Sequence, residues 1–342
     1  MNKPRRITIK DVAREAGVSI TTVSRYLNQN YEAMGEETRV KIKEVIQRLG
    51  YQPNKLAQGL KGPSRNIGVV VVNMSYPFCV SVIRSISKIL SDAGYNLMVC
   101  ETSGDPQREK GVIQSLVAQN IGGLIIQTNG ENNALLEEVA RTLPVVLIDR
   151  EFPIPAVTNV VTNNFHASEK LTSALFHEGY QQVLFITESV AQISTRTERL
   201  NGYTHACQQH AKDPRILWIE RGNQATLESV IEELLKLSRK DPFSIYTANG
   251  LIMLELYPLV KDCGIPSPRP MGLATFDEPD WVGLTVPHLT CVRQPTFQMG
   301  EYAAKKILMQ IKDRNVATPH VEVLPSTVIL SESSRLASEA TP

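Results

Sequence analysis

A short stretch near the N-terminus combines small polar side chains with one arginine at helical spacing. Its residues are Ser19, Ile20, Thr21, Thr22, Ser24 and Arg25. Hydroxyl groups near the start of a helix and a guanidinium one turn later can hydrogen-bond base edges and phosphates in a DNA major groove. The alternative is an ordinary helical hairpin with a polar surface. The pattern therefore predicts either a helix that reads DNA or a solvated helical face.

The distribution of charge helps to decide between these two interpretations. The chain has 342 residues and a net charge of +1. Residues 1–65 carry 13 Lys and Arg against 6 Asp and Glu, whereas the rest of the chain carries 23 against 29. Positive charge clustered at one end of a chain favours a polyanion as its partner. Together with the polar helix face, this asymmetry indicates DNA.

Two helices on either side of a glycine must position the polar face. Thr8 caps the first helix, with Asp11 as a shortened capping-box partner. Gly17 ends that helix, because a positive φ costs glycine nothing. Ser19 caps a second helix that runs to about Asn28. This arrangement has the spacing of a helix-turn-helix.

A third helix and a connecting segment follow. The helix spans residues 36–49, and we expect its inner face to consist of Val40, Ile42, Val45, Ile46 and Leu49. Residues 51–63 form either a flexible linker or a short helix that folds only on DNA. In the second case its leucines could form an apolar wedge for the minor groove.

From Arg65 onward, near-continuous apolar strands alternate with helices. This pattern predicts parallel sheets covered on both faces, in two doubly wound βα units. Predicted strands lie at residues 67–72, 95–100, 122–126, 145–149, 183–186, 216–219, 243–246 and 271–276. Predicted helices between them lie at 78–93, 107–119, 165–178 and 198–209.

In open α/β sheets, ligands bind beyond the carboxyl ends of the strands. We therefore expect a cleft between the two units, lined by the residues that follow each strand. Asp and Asn side chains suit vicinal hydroxyls, arginine offers a fixed fork, and Tyr76 or Phe78 can stack on a sugar ring. The candidate ligand residues are Asn73, Tyr76, Phe78, Asn129, Asp149, Arg150, Thr195, Arg199, Gln224, Asn249, Asp277 and Thr296. For any single Asp or Asn, a role as a turn or cap residue is an equal alternative.

The segments Thr8–Ala13 and Ala16–Asn28 resemble the headpiece of the LacI/GalR family of bacterial repressors. The resemblance extends over essentially the whole chain. It implies a small all-α helix-turn-helix headpiece and an α/β body of two doubly wound parallel-sheet subdomains, similar to periplasmic sugar-binding proteins. It further implies that the residues matching Ile20, Thr21 and Arg25 read major-groove bases, and that Leu60 is the minor-groove wedge.

The same resemblance gives a full set of boundaries and sites. It implies a headpiece at 1–50, a hinge helix at 51–64, one sensor subdomain at 65–163 and 294–324, another at 164–293 and 325–336, and a tail at 337–342. The chain would cross between subdomains near 163–165, 292–294 and 324–326. The candidate DNA-contacting residues are Thr8, Ser19, Ile20, Thr21, Thr22, Ser24, Arg25, Asn28, Asn54, Leu56, Ala57 and Leu60. The ligand positions of the family match Asp149, Arg199, Asn249 and Asp277, and match Asn73, Thr195, Gln224 and Thr296 less closely.

Three departures concern the hinge and the cleft. Gly59 replaces the more usual Ala or polar residue of the hinge helix, and Gly250 stands where the family usually has Asp. Arginines also gather near predicted strand ends, at Arg150, Arg196 and Arg293. Fewer acids and more arginines suit an anionic ligand, such as a sugar acid or sugar phosphate. Equally open is the alternative that these arginines pair with Glu151, Glu198 or Glu278.

Other classes of protein fit the sequence less well. A solute-binding transport protein would need a signal peptide, which is not apparent, and would not need the basic head. A sugar-modifying enzyme would have to use Asp149 and Asp277 as its acid/base pair, and no common catalytic motif is present. The six histidines and five cysteines lack metal-ligand spacing, so we expect no metal and no cofactor. The sequence predicts a cytoplasmic homodimeric repressor of a pseudopalindromic operator, with no membrane contact and a carbohydrate-type effector.

Overall fold

The computed structural model describes residues 7–27, 30–31, 34–51, 64–191, 193–239, 241–313 and 320–336. The chain divides into two compact units, Met1–Ser64 and Arg65–Pro342. Within the described residues, no helix is long and apolar enough to cross a membrane.

In the described residues of the N-terminal unit, three helices surround a small apolar core. They are α1 (Ile9–Ala16), α2 (Ile20–Leu27) and α3 (Glu36–Leu49). Asp11 accepts hydrogen bonds from the backbone N–H and the hydroxyl of Thr8, at 2.9 and 2.7 Å, and Gly17 ends α1 at φ +64°. The core consists of Val12, Ala13, Ala16, Val23, Ile42 and Val45. The predicted helix-turn-helix is thus confirmed as a local structure.

One prediction for α3 is wrong. Val40 is 49% exposed, whereas Ile42 is fully buried and Val45, Ile46 and Leu49 pack on the same core. The buried positions follow the i, i+3, i+4, i+7 spacing of one helix face. Val40, two residues before Ile42, falls on the opposite face.

In the second unit, the first lobe is a six-stranded parallel sheet in the order β11-β5-β4-β3-β1-β2. Its strands are β1 (Asn66–Val71), β2 (Asn96–Glu101), β3 (Gly123–Ile126), β4 (Val145–Ile148), β5 (Thr158–Thr162) and β11 (His320–Leu324). Its helices are α4 (Pro77–Asp92), α5 (Pro106–Ala118), α6 (Asn133–Ala140) and α11 (Thr296–Lys312). Two separate apolar clusters involve this sheet, so both of its faces are covered as the apolar strands predict.

The second lobe is a six-stranded sheet in the order β12-β10-β9-β8-β6-β7. Its strands are β6 (Gln182–Thr187), β7 (Arg215–Trp218), β8 (Phe243–Thr247), β9 (Met271–Phe276), β10 (Thr290–Arg293) and β12 (Thr327–Ile329). Its helices are α7 (Asn164–His177), α8 (Ser194–Gln209), α9 (Gln224–Leu237) and α10 (Gly250–Asp262). β12 runs antiparallel to β10, so this sheet is not wholly parallel.

Helix α8 begins four residues before its predicted start. Ser194 and Thr195 therefore belong to its first turn, instead of to a loop that precedes Glu198. Small polar residues favour the start of a helix, where backbone N–H groups lack partners. The earlier start places Thr195 and Arg199 on one helix, one turn apart.

The chain passes between the two lobes at three places. β5 lies in the first sheet and is followed by α7, which packs on α8, β6 and β10 of the second lobe. β10 is followed by α11, which packs on α4 and on β3, β4 and β5. β11 lies in the first sheet and β12 in the second. The carboxyl ends of the parallel strands of both sheets face the cleft between the lobes.

Candidate functional site

The polar face of α2 is exposed in the N-terminal unit. Thr8, Ser19, Ile20, Thr21 and Arg25 are exposed, and Thr22 and Ser24 are half-buried. Ser19 also holds the start of the helix, because its Oγ accepts a hydrogen bond from the Thr22 N–H at 3.1 Å. The remaining candidates for DNA contact lie outside the described residues: Asn28, Asn54, Leu56, Ala57 and Leu60.

Most of the candidate ligand residues lie around one cavity between the lobes, with a volume of about 220 Å³. The first lobe contributes residues that follow β1 and β4, and the second contributes residues of α8 and the residue that follows β8. These candidates are Asn73, Tyr76, Asp149, Arg150, Thr195, Arg199 and Asn249.

A second inter-lobe cavity, of about 400 Å³, adjoins the first. Phe78, Asp277 and Thr296 line this larger cavity and are absent from the lining of the smaller one. Tyr76 and Gln294 line both cavities. The structure therefore places Asp277, Phe78 and Thr296 apart from the candidates that line only the smaller cavity.

Two candidates line neither cavity. Asn129 organises a turn: its Nδ2 donates to the Gly104 carbonyl at 3.0 Å, and its Oδ1 accepts from the Glu131 N–H at 3.3 Å. Gln224 is exposed and is the first residue of α9. Both residues therefore fit the alternative interpretation, in which a candidate forms a turn or the end of a helix and does not bind a ligand.

Two strand-end aspartates share an unusual backbone conformation. Asp149 follows β4 and Asp277 follows β9, with φ of +73° and +80°. Non-glycine residues rarely adopt this left-handed region, and where they do the surrounding structure must hold them. Each carboxylate accepts a hydrogen bond from a glutamine amide: Asp149 from Gln127 at 2.6 Å, and Asp277 from Gln294.

Arg199 is a fixed cation at the bottom of the smaller cavity. Its Nε donates to Asn164 Oδ1 at 2.8 Å, its Nη1 donates to the Ala248 carbonyl at 2.9 Å, and its guanidinium lies 3.6 Å from the ring centre of Phe276. Burial lowers the pKa of Arg199 to about 10, so the side chain stays charged at neutral pH. The hydrogen-bond partners of the cation are neutral, and the nearby carboxylate of Asp149 partly opposes the lowering of its pKa.

Arg150 is nine-tenths buried and only partly satisfied. Its Nη1 donates to the Thr128 carbonyl at 3.2 Å. Its Nε, 3.9 Å from Asp149 Oδ2, makes no hydrogen bond within the described part of the chain. A buried donor without a partner is costly, so a bound acceptor would be stabilised at this position.

The other arginines near the strand ends are paired with carboxylates. Arg293 pairs with Glu278 and lines the larger cavity. This pair agrees with the alternative in which the arginines near the strand ends bind glutamates of the chain instead of an anionic ligand. Arg196 lines the smaller cavity and pairs with Glu188 at 2.6 Å, not with Glu198. Burial lowers the pKa of Arg196, against the opposing effect of Glu188.

The lining also includes polar residues outside the candidate list, among them Gln127, Glu188, Arg221 and Gln294. Gln127, Glu188 and Gln294 directly follow the ends of β3, β6 and β10, so the rule that located Asp149 applies to them as well. Arg221 lies three residues beyond β7 and binds Glu255 at 2.9 Å, an arrangement with no distinct sequence signal.

Residues 64–331 match the family of periplasmic binding proteins and sugar-binding domains of the LacI family. Residues 8–54 match the bacterial regulatory proteins of the lacI family. The chain belongs to the LacI family.

Relatives of this LacI-family chain include transcriptional regulators of similar length. It is 34% identical over 330 residues to the HTH-type transcriptional regulator KdgR of Bacillus subtilis, covering 95% of this chain and 97% of that protein. It is 32% identical over 326 residues to the HTH-type transcriptional regulator PtxS of Pseudomonas putida, covering 95% of each. The fold is similar to that of the lac repressor dimer bound to operator and the anti-inducer ONPF. That match has a TM-score of 0.84 at 20% identity and covers 97% of this chain and all of that one.

Proposed function

We propose that this LacI-family chain is a sequence-specific repressor whose operator affinity is controlled by a small anionic carbohydrate, a sugar acid or a sugar phosphate, bound in the smaller cavity. The headpiece, with its hinge at 51–64, contacts DNA through the exposed face of α2. The two lobes form the sensor. The protein acts as a cytoplasmic homodimer on a pseudopalindromic operator and catalyses no reaction.

The observation that carries the anionic ligand is the Nε of Arg150, a residue that lines the cavity of about 220 Å³. Within the described residues this buried donor makes no hydrogen bond, and it lies 3.9 Å from Asp149 Oδ2. Four arginines line this cavity against three carboxylates, Glu101, Asp149 and Glu188. Each of these carboxylates already accepts a hydrogen bond from the chain. A planar guanidinium pairs best with a carboxylate or phosphate, so an anionic group satisfies the site more fully than a hydroxyl does.

Control of DNA affinity follows if the ligand binds the two lobes together. Arg150 belongs to the first lobe and Arg199 and Asn249 to the second, so a ligand that contacts all three favours one lobe spacing. A ligand shifts a conformational equilibrium only by its difference in affinity for the two states. The coupling between ligand and operator is therefore limited by how differently the open and closed cleft bind the sugar.

Operator binding by the purified full chain tests this function. A selected palindromic DNA pool is bound at one fixed salt concentration and titrated with sugars, sugar acids and sugar phosphates. We expect one anionic compound to change the DNA affinity by tenfold or more.

Two other outcomes would count against the proposal. Calorimetry in which a neutral sugar binds more tightly than its acid or phosphate would overturn the anionic ligand. Sugar binding without any operator binding would instead support the alternative of a solute-binding protein.

A further inference from the structure

The carboxylate of Asp277 accepts hydrogen bonds from three separate parts of the chain. Its Oδ2 accepts from the Tyr76 hydroxyl and, at 3.2 Å, from the Gly250 N–H. Its Oδ1 accepts from the Gln294 side-chain amide. Asp277 is 6% exposed. A side chain of the first lobe therefore satisfies an aspartate of the second lobe.

The position of Tyr76 explains why the cleft is divided. Tyr76 lines both cavities, whereas Asp277 lines only the larger one. While the Tyr76 hydroxyl is bonded to Asp277, a molecule in the smaller cavity meets Asp149, Arg150, Arg199 and Asn249 but has no access to Asp277. The smaller cavity thus loses a carboxylate that would otherwise accept a ligand hydroxyl.

The position after Asn249 also lacks a carboxylate, because Gly250 stands where the LacI family usually has Asp. Gly250 begins α10 next to Asn249, and its position allows the close packing of Pro279, whose Cγ would lie 3.3 Å from an added Cβ. Glu188 accepts from Arg196 and, at 3.2 Å, from Asn249. Among the side chains that the structure describes, the buried groups of the lining without a hydrogen-bond partner are the Arg150 Nε, a donor, and the Gln294 Oε1, an acceptor. These two groups match a hydroxy acid, whose carboxylate accepts and whose hydroxyl donates.

We propose that Tyr76 is a specificity-determining residue of the cleft: by bonding Asp277 it withholds this carboxylate from the ligand, and it thereby favours an anionic sugar over the neutral parent sugar. This inference rests on the proposed function. Removing the Tyr76 hydroxyl has two effects in the same direction. One acceptor position on the Asp277 carboxylate becomes available to a sugar hydroxyl, and the carboxylate charge, now less compensated by donors, opposes an anion in the neighbouring cavity more strongly.

The test is Tyr76→Phe, which removes the hydroxyl that bonds Asp277. Binding is measured by calorimetry at pH 7.5 with the full chain, using hexonates, uronates and hexose phosphates, each paired with its neutral aldose. We expect the ratio of anion affinity to aldose affinity to fall at least tenfold for the tightest anion, the change expected from one charge-assisted hydrogen bond.

Tyr302→Phe is the matched control. Tyr302 lies on α11 of the first lobe, outside both cavities, and its hydroxyl interacts with the carboxylate of Glu322. Removing that hydroxyl deletes the same kind of donor and should leave the ratio unchanged. Melting temperatures of both variants show whether each has folded.

The outcomes separate the two proposals. If wild type prefers the anion and Tyr76→Phe leaves the ratio unchanged, Tyr76 only joins the lobes and the inference is wrong, while the proposed function stands. If no anion binds more tightly than its aldose in wild type, the proposed anionic ligand is wrong and the role of Tyr76 is overturned with it.

Discussion

At the scale of single residues, the chemistry of the cleft depends on which hydrogen-bonding groups the chain leaves free. Arg150 and Arg293 both lie at or just beyond the end of a strand. Arg150 is nine-tenths buried, and within the described residues its Nε makes no hydrogen bond, whereas Arg293 is paired with Glu278. The amino-acid sequence does not distinguish these two environments, and the proposed ligand contact of Arg150 depends on the difference.

Replacing Arg150 with Lys should reduce the affinity for a sugar acid by tenfold or more, with a smaller effect on the neutral parent. Lysine keeps the positive charge but lacks the planar fork that pairs with a carboxylate. Isothermal calorimetry with both compounds measures the two losses. Arg293→Lys is the control, because the Arg293 side chain is 59% exposed and already paired with Glu278. The affinities of this variant for both compounds should stay within about twofold of the wild-type values. Equal losses in the two variants would contradict the role of Arg150.

Asp277 should lower the free energy of unfolding as the pH rises, which is opposite to the usual effect of a paired carboxylate. Burial raises the pKa of Asp277 to about 6, against the lowering effect of hydrogen bonds from Gln294 and Gly250. Between pH 4 and 6 the folded chain therefore holds a proton that the unfolded chain has released. The contribution of Asp277 to the free energy of unfolding must fall as the pH rises through this window.

Asp277→Asn removes this titration. Relative to wild type, the variant should gain on the order of 3 kcal/mol of stability between pH 4 and 7, on top of any constant loss from altered hydrogen bonds. Urea unfolding of both proteins at four pH values measures the difference. Parallel pH profiles would show that Asp277 titrates normally.

How far the sequence predicts the site depends on the rule used. The carboxyl ends of parallel strands correctly indicated the cleft, and seven candidates line the smaller cavity. The rule did not show that Asn129 forms a turn or that Phe78 packs in the core of the first lobe. It also could not show that Tyr76 bonds Asp277, because 201 residues of chain separate the two and only the packing of the lobes brings them together.

At the scale of helices and strands, close packing is set by glycines that allow one helix to touch another. Gly300 on α11 packs against α4, and an added Cβ would lie 2.6 Å from the Val82 carbonyl oxygen and 2.9 Å from Ser85 Cβ. A backbone oxygen cannot move aside as the end of a flexible side chain can. The apolar spacing of α11 predicts which face is buried but gives no measure of how near its neighbour lies.

Gly300→Ala should destabilise the body by about 2 kcal/mol, because overpacking a tight contact displaces the backbone. Urea unfolding followed by circular dichroism measures the loss. Gly111→Ala is the matched control: Gly111 lies within α5, and nothing is found within 4 Å of its added Cβ. Alanine there should be neutral or stabilising by up to about 1 kcal/mol. Similar losses in both variants would contradict the close approach.

At the scale of the whole molecule, charge separates the two proposed activities. Residues 1–65 are strongly basic, whereas the ligand is expected in a buried cavity of the acidic remainder. Binding to phosphates releases counterions, but a buried ion pair is screened only weakly. The two binding reactions should therefore respond very differently to salt.

Raising the salt concentration from 50 to 200 mM should weaken operator binding by about 10³-fold. Over the same range, the affinity for a sugar acid should change by less than about tenfold. Fluorescence anisotropy with labelled operator and calorimetry with the sugar acid measure the two slopes. An operator affinity that is insensitive to salt would rule out contact of the basic headpiece with phosphates.

The shared strand order of the two sheets puts two strained aspartates in equivalent places. β4 and β9 are each the third strand in the order of their sheet, and each is followed by an aspartate, with φ of +73° and +80°. Asp149 lines the smaller cavity, whereas Asp277 accepts a hydrogen bond from Tyr76 of the opposite lobe. A costly backbone conformation thus holds a carboxylate at the same place in both lobes, and the symmetry of the backbone is not matched by the partners of the two side chains.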